Sequence, residues 1–392
     1  MKRITIGLLA GSMSVLLLAT GCGTGGDGGG GAAGTGDTIK IGANLELSGA
    51  VATYGQDTLV GVEMAVAEIN AAGGVKGKQI ELIKYDTKSE PAEATTLATK
   101  LTTQDKVLAF VGSATSGSYK ASIPIAIANK VPAVSGSATA DDVTKDASGV
   151  KEYAFRVCFS DSYQGTAMAT YAATKLNAKS AVIIKDNASD YAKGLAENFK
   201  AKFTADGGTI VDEQAYVAGN TDFNAILTRI KAETFDVIYL PGYYQEAGLI
   251  IKAARGLGIT APVLGADGFD SPQLLELGGA AALNNVYFTN HYSSLDQDPN
   301  VVAFISAFKE KNGKDPNAFN ALGYDAAKFI ADSIGRADAL TGESIKNAMA
   351  QTKDFPAVTG TFSVDADHNA VKAMVVIQLK DGVQASSEKI AS

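Results

Sequence analysis

The chain reads as an α/β protein built of two doubly wound parallel-sheet lobes joined by a three-segment hinge. Three observations predict this. Short apolar, β-rich runs alternate with amphipathic stretches, which is the signature of βαβ units and parallel strands buried on both faces. The alternation restarts near Asp161 with the same layout, so there are two such units. The chain has three candidate passages between them, near 157–161, 290–293 and 357–360, and no long linker. Two lobes of like plan with three short crossings make a hinged clamp.

The first set opens with the strand IKIGANLEL (39–47) and a helix over 56–71 that stops at Gly73-Gly74, a helix-ending pair. QIELIKYDT (79–87) is a second strand, followed by a helix over 91–103. VLAFVGS (107–113) and VPAVSGS (131–137) are strands flanking a helix over 118–129. The second set has a helix over 162–176, SAVIIKD (180–186), a helix, TIVDEQAYV (209–217), a helix from Asp222 and FDVIYLPG (235–242). Another helix, PVLGADG (262–268) and NVYFTNHY (285–292) come next. Two or three helices then span 299–350, before a final strand pair around 359–379 with its turn at Asp367-His368-Asn369. The first lobe is expected over 38–159 and 292–358, the second over 160–291 and 359–392.

Ahead of the first strand lies a different kind of sequence. Lys2 and Arg3 precede an apolar segment from Ile4 to Ala19, the layout of a secretory signal peptide over 1–21. Ala19-Thr20-Gly21-Cys22 resembles a bacterial lipobox, in which Cys22 is acylated and becomes the new N-terminus; the usual leucine three places before the cysteine is Ala19, with Leu18 one step back. Two acyl chains hold a protein stably on a membrane. The glycine tract beyond it, within a linker over 22–37, has little side chain to bury and a coil reach of about 20 Å. An exported protein lipid-anchored at the outer face of the membrane is expected, free to move just above the surface.

Composition narrows the function. The 392 residues are 46% hydrophobic, and the net charge of −8 becomes −10 once Lys2 and Arg3 leave with the leader. That acidity, without a basic stripe, argues against nucleic acid. Besides Cys22 there is one cysteine, Cys158, which FRVCFS places in a strand as a small apolar residue. His291 and His368 are the only histidines and lack metal-ligand spacing; exposed or structural roles suit both. No G-x-S-x-G elbow, phosphate loop or well-formed G-x-G-x-x-G comes after the first strand. Neither catalysis nor a cofactor or metal is indicated. A surface hydrolase would need a nucleophile–base pair in the cleft, which two histidines hardly supply.

Ligands of open α/β sheets bind beyond the carboxyl ends of the strands. GSATSGSYK (112–120) and SGSATADD (135–142) lie there, rich in hydroxyls and N–H groups at helix starts. That equipment suits a carboxylate and equally suits plain helix capping; two neighbouring segments favour a site. The second lobe offers LPGYYQEAG (240–248), with Tyr243 and Tyr244, and GADGFDS (265–271), whose Asp267 can face an ammonium or only solvent. Tyr191 and Tyr54 sit at further strand-to-helix passages.

IGANLELSGAVATYGQDTLVGVEMAVAEINAAGGVKGKQIELIKYD, VGSATSGSY, VPAVSGSATADDVT, FRVCFSDSYQG, DYAKGLAENF, LPGYYQEAG and GADGFDS, in this order, resemble the leucine/isoleucine/valine-binding proteins of bacterial ABC importers. The likeness runs over residues 38–390. It implies the type I periplasmic-binding-protein fold and an extracytoplasmic solute-binding component that delivers a small amino acid, branched-chain or otherwise aliphatic, to a membrane permease; a monomer is the default expectation. It also implies the site. The ligand carboxylate meets Ser116 and the Thr139 region. Ser137 through its carbonyl and Thr139 through its hydroxyl meet the ammonium, with Asp267 as counter-charge. Tyr54, Tyr191 and Tyr243 line the cleft, the last two closing from the second lobe. Asp267 stands where the branched-chain binders carry a glutamate, and Ser113 to Thr115 also depart from them. Relatives that bind amides, urea or aromatic acids, and a ligand-sensing receptor of the same fold, are the alternatives.

Overall fold

The computed structural model describes residues 38–391, and Asp37–Ser392 forms one compact unit. The leader, Cys22 and the glycine tract lie outside the described residues. The first sheet contains β1 (Ile39–Leu45), β2 (Ile80–Asp86), β3 (Ala109–Val111), β4 (Ala133–Ser135) and β5 (Ala154–Arg156). All its pairings are parallel, in the order β2-β1-β3-β4-β5. The second contains β6 (Ser180–Asp186), β7 (Thr209–Tyr216), β8 (Val237–Tyr239), β9 (Val263–Gly265) and β10 (Val286–Asn290), parallel in the order β7-β6-β8-β9-β10. The two sheets repeat one plan, each with a switch point beside its first strand, where doubly wound sheets open a crevice for ligand.

Strand position explains strand sequence. Interior β1 and β6 are buried along most of their length, whereas β2 and β7, at the edges, are half-exposed or exposed at all but one residue each. On β6 and β8, Val182, Ile184 and Ile238 face one helix layer, while Ile183, Val237 and Tyr239 face the other. Helices α1 (Ala52–Ala71), α2 (Pro91–Lys100) and α3 (Ser116–Asn129) connect the first strands; α4 (Asp161–Thr174), α5 (Asp190–Ala205), α6 (Asn224–Lys231), α7 (Tyr244–Gly256) and α8 (Pro272–Gly278) serve the second sheet. α9 (Pro299–Asn312), α10 (Ala318–Arg336) and α11 (Gly342–Ala350) return to the first lobe, where Phe304, Phe329, Ile330 and Ile345 share a core with Ile41 and Val62.

The structure departs from the sequence expectations at three places. α1 starts at Ala52 rather than Gln56, passing through Gly55, where a Cβ would lie 2.1 Å from the Glu46 carbonyl oxygen. The glycine marks a close approach, not a break, and Tyr54 therefore sits in the helix's first turn. Second, the turn at 365–369 joins only a short ladder, Ser363–Val364 with Ala370–Val371. β11 (Met374–Lys380) instead pairs antiparallel with β10, and β12 (Val383–Ile390), a polar edge strand without an apolar pattern, pairs with β11. Third, Phe362, Val364 and Ala370 pack with Phe329 and Phe355 of the first lobe. Residues 359–371 thus stay there, and the chain crosses at 372–373 rather than 357–360. The other two crossings fall near 157–160 and 291–293. Cys158 lies in the first of them, two residues past the end of β5, and is fully buried.

Candidate functional site

The carboxyl ends of β1, β3 and β4 meet those of β6, β8 and β9 around a narrow, nearly filled gap with a cavity volume of about 10 Å³. It is lined by Tyr54, Ala114, Thr115, Ser116, Ser137 and Phe319 from the first lobe and by Tyr191, Tyr243, Asp267 and Gly268 from the second. Six of the seven residues expected in a ligand site are thereby brought together. The seventh, Thr139, is buried just behind, beside Asp161. A wider hollow beside Glu68, Tyr324 and Lys328 lies at the opposite end of α1 from Tyr54.

One wall is anion-seeking. α3 begins at Ser116, and no side chain caps it, whereas Ser160 and Ser189 cap α4 and α5. The first N–H groups of a helix have no intrahelical acceptor and carry its positive dipole end. The Thr115 and Ala114 N–H groups are taken by the Glu46 carboxylate at 3.1 and 2.9 Å, and the Thr115 hydroxyl donates to it at 2.7 Å. Glu46, buried under this loop and with its carboxyl pushed up by that burial, holds the loop in shape. Ser137 donates its hydroxyl to the Ala114 carbonyl at 2.9 Å, and the Ser116 hydroxyl accepts the Ala140 N–H at 3.1 Å.

The opposite wall is cation-seeking. Asp267, 3% exposed, lies two residues past β9. Its Oδ1 accepts from the Tyr191 hydroxyl at 2.7 Å and from Gln164 Nε2 at 3.2 Å; its Oδ2 lies 3.1 Å from His291 Nε2. Gln164 Oε1 in turn accepts the Thr289 hydroxyl and the Asp267 N–H. Asp161, the first residue of α4, is fully buried, and neither its carboxylate oxygens nor the adjacent Thr139 hydroxyl makes a hydrogen bond of good geometry. Burial pushes the Asp161 carboxyl well above its ordinary range; the Thr139 hydroxyl pulls it down, and the nearby Asp267 charge pushes it up. Two buried acids with a vacant hydroxyl between crossing and sheet are a place for a positive group.

The remaining surface is aromatic. Tyr54 stacks on Phe319 with centroids 4.3 Å apart and meets Tyr243 edge-on at 5.5 Å, while Tyr191 stacks on Tyr243 at 5.2 Å. The Tyr54 hydroxyl, from the first lobe, donates to the Gly268 carbonyl of the second at 2.5 Å.

Sequence reasoning missed Asp161, Gln164 and Phe319, and it set His291 aside. Asp161 and Gln164 had a legible signal, since SDSYQG opens a helix directly after a crossing. Phe319 had none. Both histidines are buried rather than exposed. His368 stacks on Phe155 at 4.0 Å and has Nδ1 3.1 Å from the Ala154 carbonyl oxygen, a structural role. Burial pushes the Cys158 thiol up to about 12, so it is inert. Among the described residues no group of three or more metal-ligating side chains occurs.

A family model described as periplasmic binding protein matches residues 38–384. The Leu/Ile/Val-binding protein BraC3 of Rhizobium johnstonii is 33% identical over 323 residues, 82% of this chain and 86% of its own. Among solved structures, the branched-chain amino acid transporter substrate binding protein LivJ from Streptococcus pneumoniae, in complex with isoleucine, is 43% identical with a TM-score of 0.86, covering 91% of this chain and 100% of that one. The leucine binding protein LivK from Thermotoga maritima is 36% identical with a TM-score of 0.85, covering 90% and 99%.

Proposed function

The chain belongs to the periplasmic binding protein family, and from that premise we propose that it captures a branched-chain or other small aliphatic amino acid outside the cytoplasm and delivers it to an ABC permease. The narrow gap between the two sheets' strand ends, with an uncapped helix start on one wall and two buried acids on the other, carries the reading. A zwitterion has its two charges a few ångströms apart and satisfies both walls at once. Its carboxylate meets the N–H groups that open α3 and the Ser116 hydroxyl. Its ammonium meets Asp267, Asp161, the Thr139 hydroxyl and the Ser137 carbonyl. The aliphatic side chain lies against Tyr54, Phe319 and Tyr243, and Tyr191 and Tyr243 close over it. Charge-assisted hydrogen bonds are strongest where water is excluded. The protein acts by binding and release, with no nucleophile–base pair at this site.

A thermal-shift screen of residues 37–392, stripped of carried-over ligand, against the twenty amino acids, urea, acetamide and benzoate tests this. Ligand at 100 times its Kd stabilises by about 2.7 kcal/mol, a shift of several degrees. Leucine, isoleucine and valine are expected to respond, and Asp267→Asn to weaken them by about 1.5–3 kcal/mol. Silence from every amino acid, or a response to benzoate alone, overturns the assignment.

The same reading places the protein at the outer face of the membrane on a lipidated Cys22. No helix among the described residues is long and apolar enough to cross a membrane. Cys22→Ser is expected to move the protein from the membrane to the soluble fraction; retention on the membrane contradicts the anchor.

A further inference from the structure

Building on the amino-acid reading above, we propose that His291 is a positioning residue for recognition of the ligand ammonium: from the hinge it donates its Nε2–H to Asp267 and holds that carboxylate turned toward the cleft. His291 is the first residue after β10 and belongs to the second crossing. Its Nε2 lies 3.1 Å from Asp267 Oδ2, and that oxygen has no other hydrogen bond among the described residues. Tyr191 and Gln164 hold only Oδ1. Without His291, therefore, one oxygen of the acid is undirected. Asp267 is also one methylene shorter than a glutamate, so its placement depends more on its neighbours.

The tautomer is set by burial. The ring is 3% exposed, and Nδ1 has no partner. A proton on Nδ1 would bury a donor without an acceptor and turn the Nε2 lone pair against a carboxylate oxygen. A proton on Nε2 avoids both penalties. Burial also favours the neutral form. Asp267 favours a charged imidazole, but desolvation outweighs it, and Lys372 from the third crossing and Arg156 from β5 oppose it; together they push the imidazole down to about 4. Asp296, Asp298 and Lys389 line the hollow on whose wall His291 sits. His291 thus donates without adding a charge that would compete with the ligand ammonium.

Its position ties the acid to the hinge. The imidazole stacks on Phe159 of the first crossing with centroids 3.8 Å apart and planes 18° apart. One ring therefore touches two crossings and the cation site, so a change in hinge angle that moves His291 against Phe159 also moves the donor on Asp267.

The protein has two histidines, so nitrogen NMR of residues 37–392 labelled at histidine reads the tautomer directly, with His291→Asn assigning the signal. A neutral imidazole protonated at Nε2 and still neutral at pH 5 is expected; protonation at Nδ1 overturns the proposal. Isoleucine binding is then measured at pH 7. His291→Phe keeps the stack on Phe159 and removes the donor, leaving Asp267 Oδ2 undirected. Its affinity should fall about tenfold. His291→Asn, which restores a donor, should recover most of the wild-type affinity. A phenylalanine variant that is folded by circular dichroism and keeps the wild-type affinity overturns the proposal, as does a loss that asparagine does not rescue. The tautomer readout needs no ligand, so its failure is separable from a failure of isoleucine to bind.

Discussion

Asp161 is buried beside the cleft, its carboxylate oxygens without hydrogen bonds of good geometry. An unpartnered buried acid raises the free energy of the empty protein, and that penalty falls once a cation arrives. Asp161→Asn should therefore raise the stability of the ligand-free protein, by about 1–3 kcal/mol, while weakening amino-acid binding. Thermal melts with and without isoleucine check both halves; a ligand-free melt that drops refutes the account. His291 makes stability depend on pH. Burial lowers it to about 4 from 6.5, so between those values the unfolded chain binds a proton that the folded one does not. Stability falls as pH falls from 6.5 to 4, with roughly 3 kcal/mol from this residue. Urea denaturation of wild type and His291→Asn at pH 7 and pH 4.5 isolates it, the variant losing less.

Among the elements, α1 and α10 position the aromatic wall, with Tyr54 near the start of one and Phe319 near the start of the other. They touch through glycines: a Cβ on Gly61 would lie 1.9 Å from the Asn320 carbonyl oxygen, and one on Gly323 would lie 2.1 Å from that of Thr58. Backbone, not a flexible side chain, blocks the added methyl. Gly61→Ala should therefore force the helices apart and destabilise the protein by about 1–3 kcal/mol, measurable as a lower melting temperature; an unchanged melt would mean the pair can slide. The strand–helix alternation and most strand cores were readable from apolar periodicity, which a chain segment carries by itself. Element ends were not. Gly55 looks like a breaker in sequence and is a contact point in three dimensions, and β12 shows no apolar pattern because none of its residues is buried.

Across the whole molecule, contacts between lobes close the clamp. The Tyr54 hydroxyl reaches the Gly268 carbonyl, the Thr53 and Tyr244 hydroxyls lie 3.0 Å apart, the Ala318 N–H donates to Asp270 Oδ2 at 2.8 Å, and Lys120 pairs with Asp190 at 2.5 Å. Each joins a first-lobe element to a second-lobe element around an almost filled space. Ligand that makes half its contacts with each lobe shifts the population toward this closed form. Solution scattering of residues 37–392 should show a smaller radius of gyration when isoleucine is added to ligand-stripped protein; equal radii in both states would contradict a hinge.

The sequence by itself determined the two-lobed α/β plan, its repetition and the donor-rich strand ends that line the cleft. These are local properties: periodicity, turn residues and the short segment just past each strand. Only the tertiary structure decided that Phe319 reaches Tyr54, that Gln164 and His291 converge on Asp267, and that 359–371 stays with the first lobe. Those contacts join residues far apart in the chain. No local pattern encodes them, because they depend on how two finished lobes present their strand ends to each other.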